Sequence, residues 1–410
     1  MTKSLLLVAY AFPPYGAVGA RRAAKLAKFL PEFGWQVRVL TVSIAEYPES
    51  WIDSTSGRDD AASADVHRTR ALHWRRVRED GARWLPYLVP AIVRSVRQAR
   101  PDVVLITCGP FFQLAVTPLL SLWKVPYVLD FRDPWVTGGL RPVARNHGAR
   151  LRRALAKAVE RHAVLHAASI VVVSRPLREA YRTAYPQLPP ERFAVVPNGY
   201  DPADFAQAGA VRWAVPTLLY AGKFTTSLGL RNPRPLLEAI RLLRAEGLEV
   251  CLVHLGDKEA AFTSVVDELQ LADAVKSTGP LPYAETLSYC KGADILVVIG
   301  GGSSGEQTGK VFDYIGAGRP ILALAREDSD LGSIVSSLPQ GRVLANGDAR
   351  RVAEAIRTAL KAPPRGSGAD PDPRFLRRTI ARDLARVLER SLPRRREERQ
   401  PPAGTQATTP

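Results

Sequence analysis

The sequence has 410 residues, of which 46% are hydrophobic and 24% are charged, as is typical of a globular protein of about two to three domains. No apolar run approaches the roughly 20 residues that span a bilayer, and three widely separated cysteines argue against a disulfide framework or a cysteine-based metal site. The formal net charge of +17 favours anionic partners such as phosphorylated substrates, phospholipid or nucleic acid, although a solvated arginine-rich surface has the same charge.

Apolar segments alternate with helical ones from the N-terminus. Residues 4–11 are predicted to form a buried parallel strand, a PPYGAVG loop follows, residues 20–33 have helical periodicity, and residues 35–42 form the next strand. This order is the opening βαβ unit of a doubly wound domain. The run LLLVAYAF also resembles a signal-peptide core, but the turn and periodic helix after it favour a buried first strand. The three widely separated cysteines predict a protein of the reducing cytoplasm. Further strands are predicted at residues 66–71, 103–107, 125–130, 170–174 and 193–197, and helices at 83–100 and 148–167.

The pattern restarts near residue 205. Strands are predicted at residues 217–221, 250–255, 293–299 and 342–344, and helices at 233–246 and 349–360. Residues 362–374 are rich in proline and glycine, and residues 375–392 are amphipathic and helical. We therefore predict two α/β domains, 1–205 and 206–362, a linker with a C-terminal helix at 363–392, and a disordered basic tail at 393–410.

Polar residues cluster after the strand predicted at 293–299. The stretch GGGSSGEQTGKVFDYIGAGRPILAL contains Glu306, Lys310 and Asp313, with a helix that stops at GAG before the next strand. In open parallel sheets ligands lie at the carboxyl ends of strands, and N–H groups at a helix start bind anions. Lys310 adds a positive charge, and the Asp313 carboxylate, about one helical turn further, can accept two sugar hydroxyls. The stretch therefore favours a phosphorylated sugar, with a plain glycine-rich turn as the alternative.

Several segments together resemble a known family. They are FPPYGAVG after the first strand, LDFRDPW, VVPNGYDPADF, YAGKF and GKVFDYIGAGRPIL, and in this order they extend to about residue 362. In them the chain is similar to the retaining GT-B glycosyltransferases of family 4. The resemblance implies an α/β fold of two Rossmann-like doubly wound domains that face each other across a cleft. It also implies that the nucleotide sugar binds mainly on the second domain, that the acceptor binds on the first, and that the C-terminal helix returns to the first.

The resemblance assigns the charge chemistry to two cations. Lys223 and Arg231 match the family's cationic residues, which neutralise the diphosphate of the sugar donor. The departing nucleoside diphosphate gains negative charge as the sugar bond breaks, so fixed cations stabilise the transition state. With Glu306 they form the predicted catalytic set. With these cations a metal would be unnecessary, which fits the absence of a DxD pair after a suitable strand, so we predict no metal. The resemblance implies a UDP- or GDP-sugar as the donor substrate and no cofactor.

The E-x7-E motif of the family is incomplete in this chain. Asp313 matches the second carboxylate of the motif, which binds the nucleotide ribose, and Lys310 matches the lysine of a K-x-x-E variant. The first carboxylate falls on Gly305, and Glu306 lies one residue later. Either Glu306 replaces the missing group, or backbone amides of residues 302–305 bind the sugar and phosphates.

The resemblance also places residues of the first domain at the site. Gly16 and Gly19 belong to the loop that approaches the diphosphate and the acceptor, where glycine permits close backbone contact. Arg132 and Asp133 stand where many relatives have His-Asp, and an arginine there favours an anionic sugar or acceptor; a structural salt bridge is the alternative. Asn198 is assigned to the acceptor side near the hinge, or to an ordinary turn.

Basic residues are dense between positions 141 and 161, a pattern of a solvated arginine-rich helix and equally of a patch that contacts an anionic membrane at the inner face of the plasma membrane. They are Arg141, Arg145, Arg150, Arg152, Arg153, Lys157 and Arg161, with Glu160 as the acid among them.

The sequence as a whole leaves three functions open: a glycosyltransferase acting on a hydroxyl acceptor, a GT-B sugar-nucleotide epimerase or hydrolase, and a polyanion-binding protein. The last lacks any nucleic-acid-binding signature, so no nucleic acid partner is expected. Pocket shape, which periodicity does not reveal, decides the sugar, the base and the acceptor.

Overall fold

The computed structural model describes residues 2–56, 64–73, 80–139, 147–226, 229–301, 308–361 and 372–393. Its first sheet has seven parallel strands in the order β3-β2-β1-β4-β5-β6-β7. They are β1 (Lys3–Val8), β2 (Trp35–Val42), β3 (Asp65–Thr69), β4 (Val103–Cys108), β5 (Tyr127–Phe131), β6 (Ser169–Val172) and β7 (Phe193–Val195). This order is that of a Rossmann-like doubly wound sheet, so the prediction from the opening βαβ unit is confirmed.

The second sheet has six parallel strands in the order β12-β11-β8-β13-β14-β15, and a short antiparallel ribbon of β9 and β10 follows β8. The strands are β8 (Thr217–Ala221), β9 (Thr225–Thr226), β10 (Gly229–Leu230), β11 (Cys251–Leu255), β12 (Val275–Ser277), β13 (Ile295–Ile299), β14 (Ile321–Leu324) and β15 (Gly341–Leu344). We call the part built on the first sheet the first lobe and the part built on the second sheet the second lobe.

Helices connect the strands and cover both faces of each sheet, as parallel sheets require. They are α1 (Val18–Phe29), α2 (Asp80–Gln98), α3 (Thr117–Leu122), α4 (His147–His166), α5 (Arg175–Ala184), α6 (Pro202–Ala206), α7 (Arg234–Ala245), α8 (Ala260–Glu268), α9 (Tyr283–Gly292), α10 (Lys310–Ala317), α11 (Asp330–Ser336), α12 (Ala349–Lys361) and α13 (Arg377–Arg390). Among the described residues, no helix is long and apolar enough to cross a membrane.

Each sheet separates two hydrophobic cores. In β1, Leu5 and Leu7 pack into the core shared with α1, while Leu6 and Val8 pack into the core on the opposite face. Because successive side chains of a strand point to opposite faces, an uninterrupted apolar run fills both cores at once. The second sheet is built in the same way, with alternate residues of β13 in its two cores.

Helix α1 ends earlier than its periodicity predicts, because Pro31 has no backbone N–H and cannot continue the helix. The chain tightens into a 3₁₀ turn at Leu30–Phe33 and leaves it through Gly34, which has a φ of 80°. Helix α10 stops at Gly318, also left-handed at φ 69°, as the sequence GAGRP predicts.

The chain crosses between the lobes twice, and the crossings touch. After β7 it enters the second lobe, and it returns through residues 372–376 to α13, which packs against α1 in the first lobe. Tyr200 and Leu376 form a parallel β-bridge, in which the Tyr200 N–H donates to Phe375 O and the Arg377 N–H donates to Tyr200 O, both at 2.9 Å. Most of the predicted linker and the predicted tail beyond Pro393 lie outside the described residues.

Candidate active site

A cleft of about 240 Å³ lies between the lobes. The carboxyl ends of β1 and β8 meet there, each followed by a glycine-containing turn, which is where ligands bind in doubly wound sheets. The first lobe contributes Gly16, Val18, Arg21 and Asp53, and the second lobe contributes Ala221, Gly222, Leu281, Tyr283, Thr286, Thr308, Gly309, Lys310 and Asp313. Three of the predicted sugar-donor residues, Gly16, Lys310 and Asp313, therefore line one cavity.

Lys310 begins helix α10 and reaches across to the turn after β8. Its Nζ lies 5.0 Å from the centroid of the Tyr220 ring. Gly222 has a φ of 114°, a backbone conformation that favours glycine, and a Cβ there would lie only 2.0 Å from that Nζ, so a side chain at position 222 would also displace the lysine tip. The Lys310 ammonium therefore lies beside the backbone of the turn that precedes Lys223.

Asp313 is buried one turn further along α10, with both carboxylate oxygens engaged. Oδ1 accepts a hydrogen bond from the Tyr283 hydroxyl at 3.0 Å, and Oδ2 lies 3.7 Å from Nη2 of Arg21 in the other lobe. Burial raises the pKa of Asp313, while the positive charge of Arg21 opposes that rise. Burial and the Asp313 charge raise the pKa of Tyr283 well above its ordinary value, so its hydroxyl remains a donor.

Lys223 and Arg231 lie together on the second lobe, outside the residues that line the cleft. Lys223 follows Gly222 and forms an ion pair with Asp257 at 2.5 Å, a hydrogen bond that raises the pKa of the lysine. Nη1 of Arg231 donates to the Lys223 carbonyl at 3.4 Å, and the Arg231 N–H donates to Phe224 O at 2.7 Å. The loop after β8 thus holds two predicted cations next to the rim of the cleft.

His254 supports this loop, and the sequence analysis missed it. It is fully buried in β11, with Nε2 2.9 Å from Gly222 O and Nδ1 3.3 Å from Ser277 Oγ. Burial lowers the pKa of His254, so the ring is neutral near pH 7 and donates from Nε2 to the carbonyl. A histidine within the apolar strand CLVHL is the sequence signal that could have found it.

Arg132 follows β5 in the first lobe and lies against two glycines. Its Nη2 donates to Gly109 O at 3.0 Å and its Nε donates to Cys108 O at 3.3 Å. A Cβ at position 19 would lie 1.8 Å from Nη1 of Arg132, so Gly19 leaves the space that the guanidinium fills. Within the described part of the chain, Arg132 has no carboxylate partner, and the neighbouring Asp133 is exposed.

Asn198 is buried in the crossing after β7, away from the residues that line the cleft. Its Oδ1 accepts a hydrogen bond from Nη1 of Arg22 at 3.4 Å. Arg22 itself forms a fully buried pair with Asp130, with hydrogen bonds of 2.9 and 2.8 Å. In this structure Asn198 therefore belongs to the network that ties α1 and β5 to the crossing. Gly305 and Glu306 lie outside the described residues.

Helix α4 has a basic and apolar outer face. Arg150, Arg152, Arg153, Lys157 and Arg161 are exposed, while Arg141 and Arg145 lie outside the described residues. Glu160, the one acid of α4, is 1% exposed, and its carboxylate accepts from the backbone of residues 136–137 and from two tyrosine hydroxyls. The exposed face of α4 consequently carries no negative charge.

Two family models match the sequence. Residues 19–199 match the Glycosyl transferase 4-like domain, and residues 215–362 match Glycosyl transferases group 1. No curated protein matches the chain.

Solved structures with the same fold align along nearly the whole chain. A sucrose-phosphate synthase from Thermosynechococcus elongatus is 18% identical over 95% of both chains, with a TM-score of 0.59. WaaG, a glycosyltransferase involved in lipopolysaccharide biosynthesis, is 17% identical over 93% of this chain and 95% of its own, with a TM-score of 0.55. A UDP-GlcNAc 2-epimerase from Methanocaldococcus jannaschii is 14% identical over 95% and 99%, with a TM-score of 0.54. At these identities the likeness shows the shared two-lobed fold.

Proposed function

The chain belongs to the GT-B glycosyltransferases of family 4, and we propose that it transfers a sugar from a nucleoside diphosphate sugar to a hydroxyl acceptor with retention of anomeric configuration. One observation carries this proposal: Lys310 and Asp313 of the second lobe line the same cleft as Gly16 of the first. Each group suits one part of such a donor: the cation binds the diphosphate, the buried carboxylate binds the ribose, and the backbone N–H groups of the loop bind phosphate oxygens.

The charge chemistry rests on cations of the protein, and we propose that it needs no metal ion. Lys223, Arg231 and Lys310 surround the turn after β8, and together they stabilise the charge that the leaving diphosphate acquires. The ion pair of Lys223 with Asp257 is largely solvent-exposed, so exchanging that carboxylate for a phosphate costs little. In this proposal Lys223 and Arg231 are catalytic because they contact the leaving group.

Asp313 binds the ribose of the sugar donor in this proposal, because one carboxylate can accept a hydrogen bond from each hydroxyl of a diol. Glu306 or the backbone amides of residues 302–305 contact the transferred sugar. We propose UDP or GDP as the nucleotide; a structurally similar protein is named for a UDP-sugar, which supports UDP.

The acceptor lies on the first lobe, beside Gly16 and Gly19. Arg132 has no carboxylate partner among the described residues, which supports contact with an anionic group of the acceptor or sugar. Asp133 and Asn198 complete the proposed acceptor side. Asn198 is buried in the crossing after β7, so in this proposal it positions that segment rather than contacting the acceptor directly.

We also propose that the enzyme is cytoplasmic and associates peripherally with an anionic membrane through the outer face of α4. Leu151 and Leu155 are 73% and 54% exposed beside the basic side chains, and Leu122 of the contacting helix α3 is 73% exposed. Each basic group near an anionic leaflet contributes about 1 kcal/mol. The protein should co-sediment with anionic vesicles at low salt, and Leu151→Asp should weaken this binding. Equal recovery with neutral and anionic vesicles would contradict the membrane proposal.

Binding of nucleoside diphosphate sugars tests the transferase proposal. UDP-, GDP- and dTDP-sugars are compared by thermal shift, where a ligand at 100 times its Kd stabilises the protein by about 2.7 kcal/mol. One base should raise the melting temperature by several degrees, and Arg231→Ala should abolish the rise. The absence of any shift would overturn the proposal.

Turnover then separates transfer from the alternative chemistry that a UDP-GlcNAc 2-epimerase of the same fold suggests. A transferase releases nucleoside diphosphate only when an acceptor is present. An epimerase converts the sugar nucleotide without releasing it, and a hydrolase releases diphosphate without acceptor, so either result would replace the transferase proposal.

A further inference from the structure

Arg21 is a cation in the cleft that none of the sequence motifs marks. It lies in the first turn of α1, and its side chain is 13% exposed. Its guanidinium carbon lies 4.1 Å from the centroid of the Tyr283 ring, and Nη1 is 3.4 Å from the carbonyl of Gly16. A side chain of the first lobe thus extends across the cleft to the carboxylate of Asp313 in the second.

Arg21 and Tyr283 each contact one carboxylate oxygen of Asp313. The Tyr283 hydroxyl donates to Oδ1 at 3.0 Å, and Nη2 of Arg21 lies 3.7 Å from Oδ2. A ribose diol would use the same two oxygens as acceptors, so its hydroxyl at Oδ2 would compete with Arg21 for that oxygen. The contact of Arg21 is about 1 Å longer than a strong charge-assisted hydrogen bond, so a sugar hydroxyl can displace it more easily than it could displace a short one.

Displacement by ribose would leave Arg21 with its charge still inside the cleft. A guanidinium that is 13% exposed and has lost its carboxylate is costly to keep, so a replacement anion is needed. The diphosphate of the same nucleotide supplies one, because it is attached directly to the ribose. Arg21 and Lys310 line the same cavity from opposite lobes, and both can therefore contact a diphosphate bound between them.

We propose that Arg21 is a residue that binds the sugar donor: when the donor binds, Arg21 exchanges its contact with Asp313 for a contact with the diphosphate. This inference rests on the proposed function. It also explains how the nucleotide connects the lobes, since Arg21 belongs to the first and Lys310 and Asp313 belong to the second. The diphosphate would then hold the lobes together through cations on both sides.

Calorimetric titrations of nucleosides and nucleoside diphosphates test this exchange. Wild-type protein, Arg21→Gln and the surface control Arg97→Gln are each titrated with uridine and UDP, guanosine and GDP, and thymidine and dTDP. In Arg21→Gln the Kd of the bound diphosphate should rise about tenfold or more, as for loss of a charged hydrogen bond. The Kd of the corresponding nucleoside should stay unchanged or fall, because a competitor of the ribose has been removed. Arg97→Gln should match the wild type.

A conservative variant and two contrary outcomes complete the test of Arg21. Arg21→Lys keeps the charge and should recover part of the diphosphate affinity, so it replaces the glutamine variant if that variant does not fold. Equal fold-changes for nucleoside and diphosphate, or no change in either, would overturn the assignment of Arg21 and leave the proposed function intact. A wild type that binds none of the three diphosphates would overturn the proposed function, and the assignment with it.

Discussion

Replacing Lys223 with alanine tests whether this lysine has a catalytic role or only a structural one. Its pair with Asp257 leaves the lysine and aspartate side chains 56% and 44% exposed, and exposed pairs contribute about 0.2–1 kcal/mol to folding. The free energy of unfolding should therefore fall by less than about 1 kcal/mol. If the same lysine stabilises the leaving diphosphate, its loss should lower kcat by about 10²–10³, which corresponds to roughly 2.7–4 kcal/mol.

Urea unfolding and steady-state turnover measure the two quantities on the same preparation. Arg234→Ala is the control, because Arg234 also forms an exposed ion pair on the second lobe, with two hydrogen bonds to Glu268 and a longer contact with Glu238. The control should lose at least as much stability as Lys223→Ala and should keep wild-type turnover. Equal turnover of the two variants would refute the catalytic role of Lys223. An activity loss that only tracks a loss of folded protein would refute it as well.

Three other substitutions test the supporting structure. Asp130→Asn leaves Arg22 buried without its carboxylate, so urea unfolding should show a loss of about 3–5 kcal/mol; a loss under about 1 kcal/mol would contradict the buried pair. Burial lowers the folded-state pKa of His254 below its ordinary 6.5, so the unfolded chain binds that proton more tightly and stability is lost as the pH falls below about 6.5. His254→Phe should flatten this dependence in unfolding measured from pH 5 to 8, and an unchanged slope would count against it. Gly19→Ala places a Cβ 1.8 Å from Nη1 of Arg132 and should displace that guanidinium. The acceptor KM should then rise as in Arg132→Gln, while the melting temperature stays nearly constant. A normal acceptor KM would remove Arg132 from the acceptor side.

Local patterns predicted the sheets and part of the cleft. The apolar run around Leu5 indicates a strand buried on both faces, and that inference requires only the alternation of side chains. Lys310 and Asp313 were found because they follow a strand end and share one helix face. The apolar period of residues 20–33 does not predict the end of α1 at Phe29, because Pro31 interrupts the helix although the period continues past it.

Contacts across the lobes could not be predicted. Arg21 and Tyr283 are about 260 positions apart in the chain, and only the packed structure shows that both reach Asp313. Asp53 is a further example, since its Oδ2 accepts from the Tyr283 N–H at 2.8 Å and thereby holds the start of a helix in the other lobe. Asn198 matched a motif, but its neighbour Arg22 gives it a buried structural partner that no motif contains.

The bridge between Tyr200 and Leu376 gives the two lobes one shared place about which they could rotate. The two segments of chain that connect the lobes, one after β7 and one at residues 372–376, pair with each other here through two hydrogen bonds of 2.9 Å. A rotation of the lobes about this bridge would separate the contacts that Asp53 and Arg21 make across the cleft while leaving the bridge itself in place. A small rotation at the bridge becomes a larger displacement at the far rim of the cleft.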